Sequence, residues 1–102
     1  MRVFWAFIAL NDLQDIFEYH KTIASVKTAR KLVKNIVVDT NLLQNNPELG
    51  RIEELLVHRE NHYRFIVVKN YKVIYWIKDN LIHVATVFDT RQNPEKLNQK
   101  LE

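Results

Sequence analysis

The stretch VFDTRQNPEKL, residues 87–97, brings an apolar run directly against a group of polar side chains. Pro94 has no backbone N–H and cannot extend a sheet ladder, so it marks the end of a strand. Arg91 then lies just past the sheet, where binding groups are commonly placed, and its guanidinium stays charged at any working pH. Asp89 can hold that guanidinium by a charge-assisted hydrogen bond. The stretch is therefore typical of either a binding arginine or a solvated exit loop.

Two other side chains of types that support catalysis lie in the neighbouring strands. His83 is the proton-transfer candidate, because imidazole titrates near neutral pH, although a mid-strand histidine is commonly structural. Lys72 can supply the positive charge that a phosphate requires in a transition state. Glu53 and Glu54 are adjacent carboxylates, which we expect to be solvated. The sequence contains no nucleotide loop, metal motif or catalytic triad, so we expect no cofactor and no metal.

Composition limits the class of protein that these residues can serve. The chain has 102 residues, 47% of them hydrophobic, which predicts a single domain over residues 1–102. A net charge of +3 gives a mild preference for anionic partners. The absence of cysteine excludes disulfides and thiol catalysis and suits a reducing cytoplasm. No apolar run has the roughly 18 residues of a membrane span, and the apolar start reads as a strand rather than a signal peptide.

The hydrophobic pattern predicts one strand followed by two helices. Residues 2–8, RVFWAFI, are aromatic and β-branched without polar alternation, which predicts a buried strand. A helix should follow, with Asn11 as its N-cap. A second helix should begin near Ser25 and end before Pro47, because the residue before proline avoids the helical region. Two successive long helices predict a helical hairpin.

After Gly50 the pattern changes to that of strands. Residues 51–57 are a short strand or an extended connection. Three further strands are predicted in YRFIVVK, NYKVIYWIK and LIHVATVF, with tight turns at Lys69-Asn70 and Asp79-Asn80. The predicted fold class is α+β. Its order is β-α-α-β-β-β, with four to five strands in an antiparallel sheet and the N-terminal helical hairpin packed on one face.

Two-residue turns would fix which side chains share a face of this sheet. We expect the helices to cover the more aliphatic face, toward which Arg64 and Phe88 would point. The other face would stay more open and carry Tyr63, Phe65, Val67, Lys72, Ile74, Trp76, His83, Ala85 and Val87. On it, Trp76 and Tyr63 would form an exposed aromatic patch suited to a partner. A shift of one residue would reverse these faces.

Several stretches taken together resemble the RelE/ParE family of bacterial toxins from type II toxin-antitoxin systems. The resemblance is carried by HYRFIVVKNYKVIYWI (62–77), PELGR (47–51) and VFDTRQNPEKL, together with the opening strand and helical hairpin. It implies a small cytoplasmic growth inhibitor, of the kind found in plasmid stabilisation systems, around which a cognate antitoxin wraps. A homodimer is a further expectation.

The family divides by target, and the resemblance carries over different residues for each branch. RelE-like members are ribosome-dependent mRNA endonucleases that use basic side chains on the open face and near the last strand. The family's strand arginine is matched by Lys72, its C-terminal arginine by Arg91 and another basic position by Arg64. Lysine lacks the bidentate geometry of arginine, so this basic cluster is incomplete.

ParE-like members inhibit DNA gyrase without a known hydrolytic site, and the long hairpin, PELGR and the incomplete cluster favour this branch. A ribosome-dependent endoribonuclease and an inactive toxin-derived binding domain stay open as alternatives. The chain would be an enzyme only in the endoribonuclease case, with Lys72, Arg91 and His83 as its catalytic candidates. The candidates for contact with the target or the antitoxin are Arg64, Lys72, Trp76, Tyr63, Asp89 and Arg91.

Overall fold

The structure, a computed structural model, describes residues 1–101 and has the predicted order of one strand, two helices and then strands. Its elements are β1 (Arg2–Trp5), α1 (Phe7–Ile23), α2 (Val26–Asn41), β2 (Arg51–Ile52), β3 (Arg64–Val68), β4 (Tyr71–Lys78), β5 (Leu81–Asp89) and α3 (Glu95–Lys100). The expected α+β class and the N-terminal helical hairpin are confirmed. None of the helices in residues 1–101 is long and apolar enough to cross a membrane.

The five strands form one sheet in the order β1-β5-β4-β3-β2. Neighbouring strands from β2 to β5 are antiparallel, as predicted, whereas β1 runs parallel to β5 at the edge. The sheet is therefore mixed. The apolar pattern of a strand is the same for either direction, so the sequence of β1 did not reveal this parallel pairing.

The start of α1 differs from the sequence prediction. The strand ends at Trp5 and the helix already begins at Phe7, with Ala6 as an N-cap that makes no side-chain hydrogen bond. Asn11 is therefore inside the helix. The prediction of one buried strand over residues 2–8 was wrong at its end, because a short apolar run does not by itself distinguish a strand from the start of a helix. Phe7 belongs to α1 and is 76% exposed. The second helix begins at Val26, next to the predicted start near Ser25, and Ser25 Oγ caps it by accepting from Thr28 N at 3.1 Å.

A β-bulge changes the faces near the end of β5. Trp76 pairs with His83, on the face expected for both, but Tyr75 pairs with Val84 and Ile74 with Thr86, which leaves Ala85 as an extra residue. As a result Val87 packs into the core beneath the helices, and Phe88 packs on the opposite face of the sheet. The prediction exchanged these two residues because no turn or glycine in the sequence marks the bulge.

Two clusters of buried side chains lie on the two faces of the sheet. The cluster beneath the helices contains Ala9, Ile16, Ile36, Leu43, Val68, Tyr71, Val73, Tyr75, Ile82, Val84 and Val87. The smaller cluster contains Leu56, Ile74, Phe88 and Leu97. It forms because the turn at 54–56 and α3 cover part of the face that we expected to be open. Helix α3 was not predicted; Pro94 ends the sheet segment as expected but also precedes a short helix.

Candidate functional site

The last residue of β5 and the turn after it form a hydrogen-bonded fork. Asp89 Oδ1 accepts from the backbone N of Arg91 at 2.9 Å and from its Nε at 3.1 Å, and Asp89 Oδ2 accepts from Nη2 at 2.9 Å. The Asp89 side chain is 20% exposed and that of Arg91 is 54% exposed. The charge-assisted hydrogen bond expected from the sequence is thus present, and the outer edge of the guanidinium faces solvent.

Backbone contacts hold this turn against the neighbouring hairpin. Thr90 donates to the carbonyl of Asn70 through both its backbone N, at 2.8 Å, and its Oγ1, at 2.9 Å. Asn93 Oδ1 accepts from Glu95 N at 3.0 Å, which fixes the approach to α3. Because the backbone on either side of Arg91 is tied down, the guanidinium has a defined orientation before any partner binds.

The pKa values of Asp89 and Arg91 are shifted in the directions expected for an ion pair. The hydrogen bonds from Arg91 hold the pKa of Asp89 below its usual value, against an opposing effect of burial, and Asp89 raises the pKa of Arg91. Burial, and next the charge of Asp89, raise the pKa of Tyr71, whose hydroxyl lies 2.9 Å from His20 Nε2. Tyr71 lies opposite Asp89 in the β4–β5 pair, so the hydrogen-bonded Tyr71 and His20 are neighbours of the fork.

A cavity of about 350 Å³ lies beside the fork, between α1, the end of β5 and α3. It is lined by Asp12, Asp15, Ile16, Tyr19, Tyr71, Val87, Asp89, Arg91, Gln92 and Lys100. Its buried carboxylate, Asp12, accepts from Thr86 Oγ1, from Val87 N at 2.8 Å and from Lys100 Nζ. Asp12 was not predicted to be part of this site. The available signal was the spacing of Asp12, Asp15 and Tyr19, which places them on one side of α1.

Lys72 is bound within the protein. Its Nζ lies 2.8 Å from Glu53 Oε2 and 4.2 Å from the centre of the Phe65 ring. Glu53 is 3% exposed, and its Oε1 also accepts from Leu55 N at 3.2 Å. The expectation that Glu53 is solvated was wrong, because the turn at 54–56 folds over the sheet and buries this carboxylate beside Lys72. The ammonium group of Lys72 therefore balances a buried charge.

Arg64 is also engaged within the chain. It pairs with Tyr75 across β3 and β4, and its Nη1 donates to the carbonyl of Gly50 at 2.8 Å. Tyr75 donates its hydroxyl to the carbonyl of Pro47 at 2.8 Å and accepts from Gly50 N at 2.9 Å. Arg64 and Tyr75 thus fix the PELGR segment on the edge of the sheet.

The aromatic candidates lie on the face opposite the helices. Trp76 and His83 stack with ring centres 4.1 Å apart and an interplanar angle of 11°, and Phe4 meets His83 edge-on at 6.1 Å. Trp76 is half-buried, and Tyr63 packs against the smaller core. The expected open aromatic patch is therefore centred on Trp76, His83 and Phe4.

The three catalytic candidates do not converge. Lys72 contacts Glu53 on the face away from the helices, whereas Arg91 lines the cavity beside α1. His83 lies near the far end of β5, stacked on an indole. General acid–base catalysis at a phosphate needs the proton-transfer group and the cation around one reacting centre, and this set does not provide that arrangement.

One comparison with known proteins identifies a family, and another supports the fold. A family model described as the ParE toxin of a type II toxin-antitoxin system, parDE, matches residues 3–94. Among solved structures, the chain is similar to one described as the chromosomal ParDE TA system from P. aeruginosa, with a TM-score of 0.76 and 18% identity. That match covers 89% of this chain and 97% of the other, and at this identity it supports the fold alone. A search of curated proteins gave no match.

Proposed function

The chain belongs to the ParE toxin family of type II toxin-antitoxin systems, and from this membership we propose that it arrests bacterial growth by inhibiting DNA gyrase. The toxin component of such a system has a cognate antitoxin as its partner. We further propose that a single domain over residues 1–102 carries this activity and that it acts in the cytoplasm.

The engagement of Lys72 by the buried Glu53 is the observation that supports gyrase inhibition over RNA cleavage. An endonuclease of the RelE kind needs cations that are free to approach a phosphate whose charge grows in the transition state. Moving Lys72 Nζ to such a phosphate would leave Glu53 charged and buried, which is costly. Arg64 is likewise committed to the Gly50 carbonyl. A toxin that acts by binding a protein target has no need of such a cluster.

We assign Arg91 to contact with the target and Trp76 and Tyr63 to contact with the antitoxin. Arg91 presents its outer guanidinium edge in a fixed orientation, which suits recognition of acidic or carbonyl groups on a protein surface. The face that carries Trp76 offers half-buried aromatic area of the kind that a segment ordering on binding can cover. Asp89 acts through Arg91, as the group that orients it.

Induced expression in a bacterial host tests the proposed target. Plasmid supercoiling and the integrity of cellular mRNA are followed in the same culture after induction. We expect negative supercoiling to fall while mRNA stays intact, and we expect the purified chain to inhibit DNA supercoiling by purified gyrase. Ribosome-dependent mRNA cleavage with normal supercoiling would contradict the proposal. If growth is unaffected and the chain still binds its antitoxin when the two are co-expressed, the chain is a domain that only binds its partner.

Co-expression with the adjacent gene tests the antitoxin. We expect a stable complex that survives purification and restores growth. Failure to recover any complex would contradict the assignment of an antitoxin-binding surface. Trp76→Ala should weaken the complex, whereas Val38→Ala, at an exposed valine on α2, should leave it unchanged.

A further inference from the structure

The outer edge of β1 carries backbone groups that no neighbouring strand within residues 1–101 uses. β1 is the edge strand of the sheet, with β5 on its inner side. Ala6 N donates to Val84 O at 3.0 Å, so Ala6 and, by alternation along the strand, Phe4 direct their backbone groups toward β5. Val3 and Trp5 therefore direct their N–H and C=O groups outward. This edge is a template for another strand.

Val3 and Trp5 lack the features that usually protect an edge strand, although the segment 42–44 lies beside the start of β1, where the Met1 ammonium group donates to Gln44 O at 3.3 Å. Proteins block such edges with lysine, proline, bulges or a covering segment. The sequence of β1 is RVFW, with one charge at its first position and strongly β-forming side chains after it. Phe4 is 52% exposed, and Phe7, just past the strand, is the most exposed large apolar side chain of the described residues. An apolar edge of this kind favours pairing with another chain.

The opposite edge of the sheet is less suited to such pairing. β2 is only two residues long and begins with the charged Arg51. The part of β3 that β2 does not pair with is short, because the strand stops before Lys69, where a φ of 56° turns the backbone out of the strand conformation. Short strands with flanking charges are the usual protection against edge-to-edge contact. The unprotected pairing surface is therefore that of β1.

A second copy of β1 can complete this edge through a two-fold axis. In an antiparallel pair of identical strands, Val3 would exchange both backbone hydrogen bonds with Trp5 of the partner subunit. By symmetry every outward group of these two residues is paired. The register places Phe4 opposite the partner's Phe4 and Arg2 opposite the partner's Ala6, so no like charges meet. It also brings Met1, which is 37% exposed, toward the partner's Phe7.

Side chains on the open face also favour this register, because Trp76, His83 and Phe4 form a row of aromatic rings that ends at the axis. Trp76 stacks on His83, and His83 meets Phe4 edge-on, so the rings run across β4 and β5 to the edge strand. Phe4 is the exposed end of the row. Directly opposed residues in a non-hydrogen-bonded antiparallel pair have their side chains closest together. The partner's Phe4 would continue the row across the axis.

We propose that the antitoxin-free chain forms a two-fold symmetric dimer by antiparallel pairing of β1 with β1 of a second copy. The two sheets become one continuous sheet, with the two Phe4 side chains at the axis. This assembly does not depend on gyrase being the target, because it follows from the edge strand alone.

Disulfide trapping tests the position of the axis, since the natural chain has no cysteine. Phe4→Cys would place two thiols opposite each other at the axis, within the Cβ separation that a disulfide needs. Tyr19→Cys and Val67→Cys are matched controls, because the native side chains are 52% and 56% exposed and lie away from β1. Under mild oxidation we expect Phe4→Cys to form covalent dimer at least about tenfold faster than either control, because pairing raises the local thiol concentration. Equal rates for the three variants would overturn the proposal.

Sedimentation of the full chain, purified under tight repression and free of antitoxin, tests the non-covalent dimer. We expect a mass of twice the 12.2 kDa of the chain at high concentration, falling toward 12.2 kDa on dilution. Phe4→Asp should be monomeric, because two carboxylates would meet at the axis, while Val67→Asp should remain dimeric. Val3→Pro removes one outward N–H and leaves the ladder to β5 intact, so it should also be monomeric and keep the melting temperature of a folded chain. A parent chain that is monomeric throughout, or a dimer that persists in both Phe4→Asp and Val3→Pro, would overturn the proposal.

Discussion

Arg91 is held in place by Asp89, and the role in binding that we propose for Arg91 can be tested separately from its contribution to folding. The Asp89–Arg91 pair is largely solvent-exposed on the arginine side, and exposed ion pairs contribute little to stability because water and salt screen them. The Asp89–Arg91 ion pair therefore adds little to the stability of the fold. A fixed cation at the end of a sheet is what a recognition site requires.

Arg91→Ala should relieve growth inhibition while leaving the fold intact. We expect the melting temperature to stay within a few degrees of the parent, because the lost contact is a surface ion pair, and we expect inhibition of gyrase by the purified chain to fall. Lys96→Ala, at an exposed lysine in α3, is the matched control and should remain fully toxic. A toxic Arg91→Ala variant, or one that is harmless only because it is unfolded, would contradict the assignment of Arg91.

The lowered pKa of Asp89 predicts a specific dependence of stability on pH. A carboxylate whose pKa is lower in the folded chain stabilises the fold above its unfolded value, here 3.8, and that contribution disappears as pH falls through the lowered folded value. In urea titrations, Asp89→Asn should be less stable than the parent at neutral pH. The difference between the two should shrink as the pH is lowered below about 4. A difference that is independent of pH would show that the side chain acts through packing alone.

The strands and helices of the sheet scaffold were largely predictable from the sequence because their patterns are local. The strands β3, β4 and β5 follow from runs such as NYKVIYWIK, and the turn at Asp79-Asn80 follows from residues that tolerate the left-handed conformation; both have φ above 50° in the structure. The bulge at Ala85 and the parallel pairing of β1 were not predictable, because each depends on how distant segments pack. The site was partly predictable for the same reason: Asp89 and Arg91 are two residues apart, whereas Asp12 and Lys100 meet only through the fold.

The PELGR segment requires glycine at position 50 because its backbone lies close to the sheet. A Cβ at this position would lie 2.6 Å from Tyr75 Oη and 2.7 Å from the carbonyl oxygen of Phe65, both closer than real contacts allow. The segment approaches the sheet this closely because Gly50 N donates to Tyr75 Oη and its carbonyl accepts from Arg64. Glycine here is required by space, since no other residue type lets the backbone approach so closely.

Gly50→Ala should therefore destabilise the chain by roughly 1–3 kcal/mol, the usual cost of overpacking a tight contact. Thermal unfolding measures the change, and Leu49→Ala, at a neighbouring side chain that is 59% exposed, is the control that should change little. Tyr75→Phe alone should also destabilise the chain, because Gly50 N and Pro47 O lose their partner. Gly50→Ala combined with Tyr75→Phe should lose less than the sum of the two single variants, because the hydroxyl that phenylalanine lacks is the atom closest to the new Cβ. Additive losses would indicate that the backbone contact with Phe65 dominates.

Two charged side chains, Lys100 and Arg59, attach the C-terminal helix α3 to the rest of the molecule. Lys100 pairs with the buried Asp12 of α1, and Arg59 donates to the carbonyls of Leu101, at 2.6 Å, and Asn98, at 2.8 Å. Between them, Leu97 is fully buried against the sheet. A helix of six residues has little stability of its own, so these tertiary contacts determine whether it is formed.

Asp12 is the residue at which α1, β5 and α3 meet, and its replacement should cost more than that of its partner Lys100. In Asp12→Ala the Thr86 hydroxyl and the Val87 N–H lose their acceptor inside the protein, and unsatisfied buried groups cost about 1–3 kcal/mol each. In Lys100→Ala the carboxylate keeps both of those donors and reaches solvent where the lysine stood, so we expect a loss of about 1 kcal/mol. Urea unfolding of the two single variants and the double variant measures the coupling between Asp12 and Lys100.

We expect Asp12→Ala to be the less stable single variant. The double variant should be only slightly less stable than Asp12→Ala, because the ammonium group of Lys100 contributes nothing once Asp12 is gone. Equal losses in the two single variants would mean that the ion pair, rather than the hydrogen bonds to β5, is what joins these three elements.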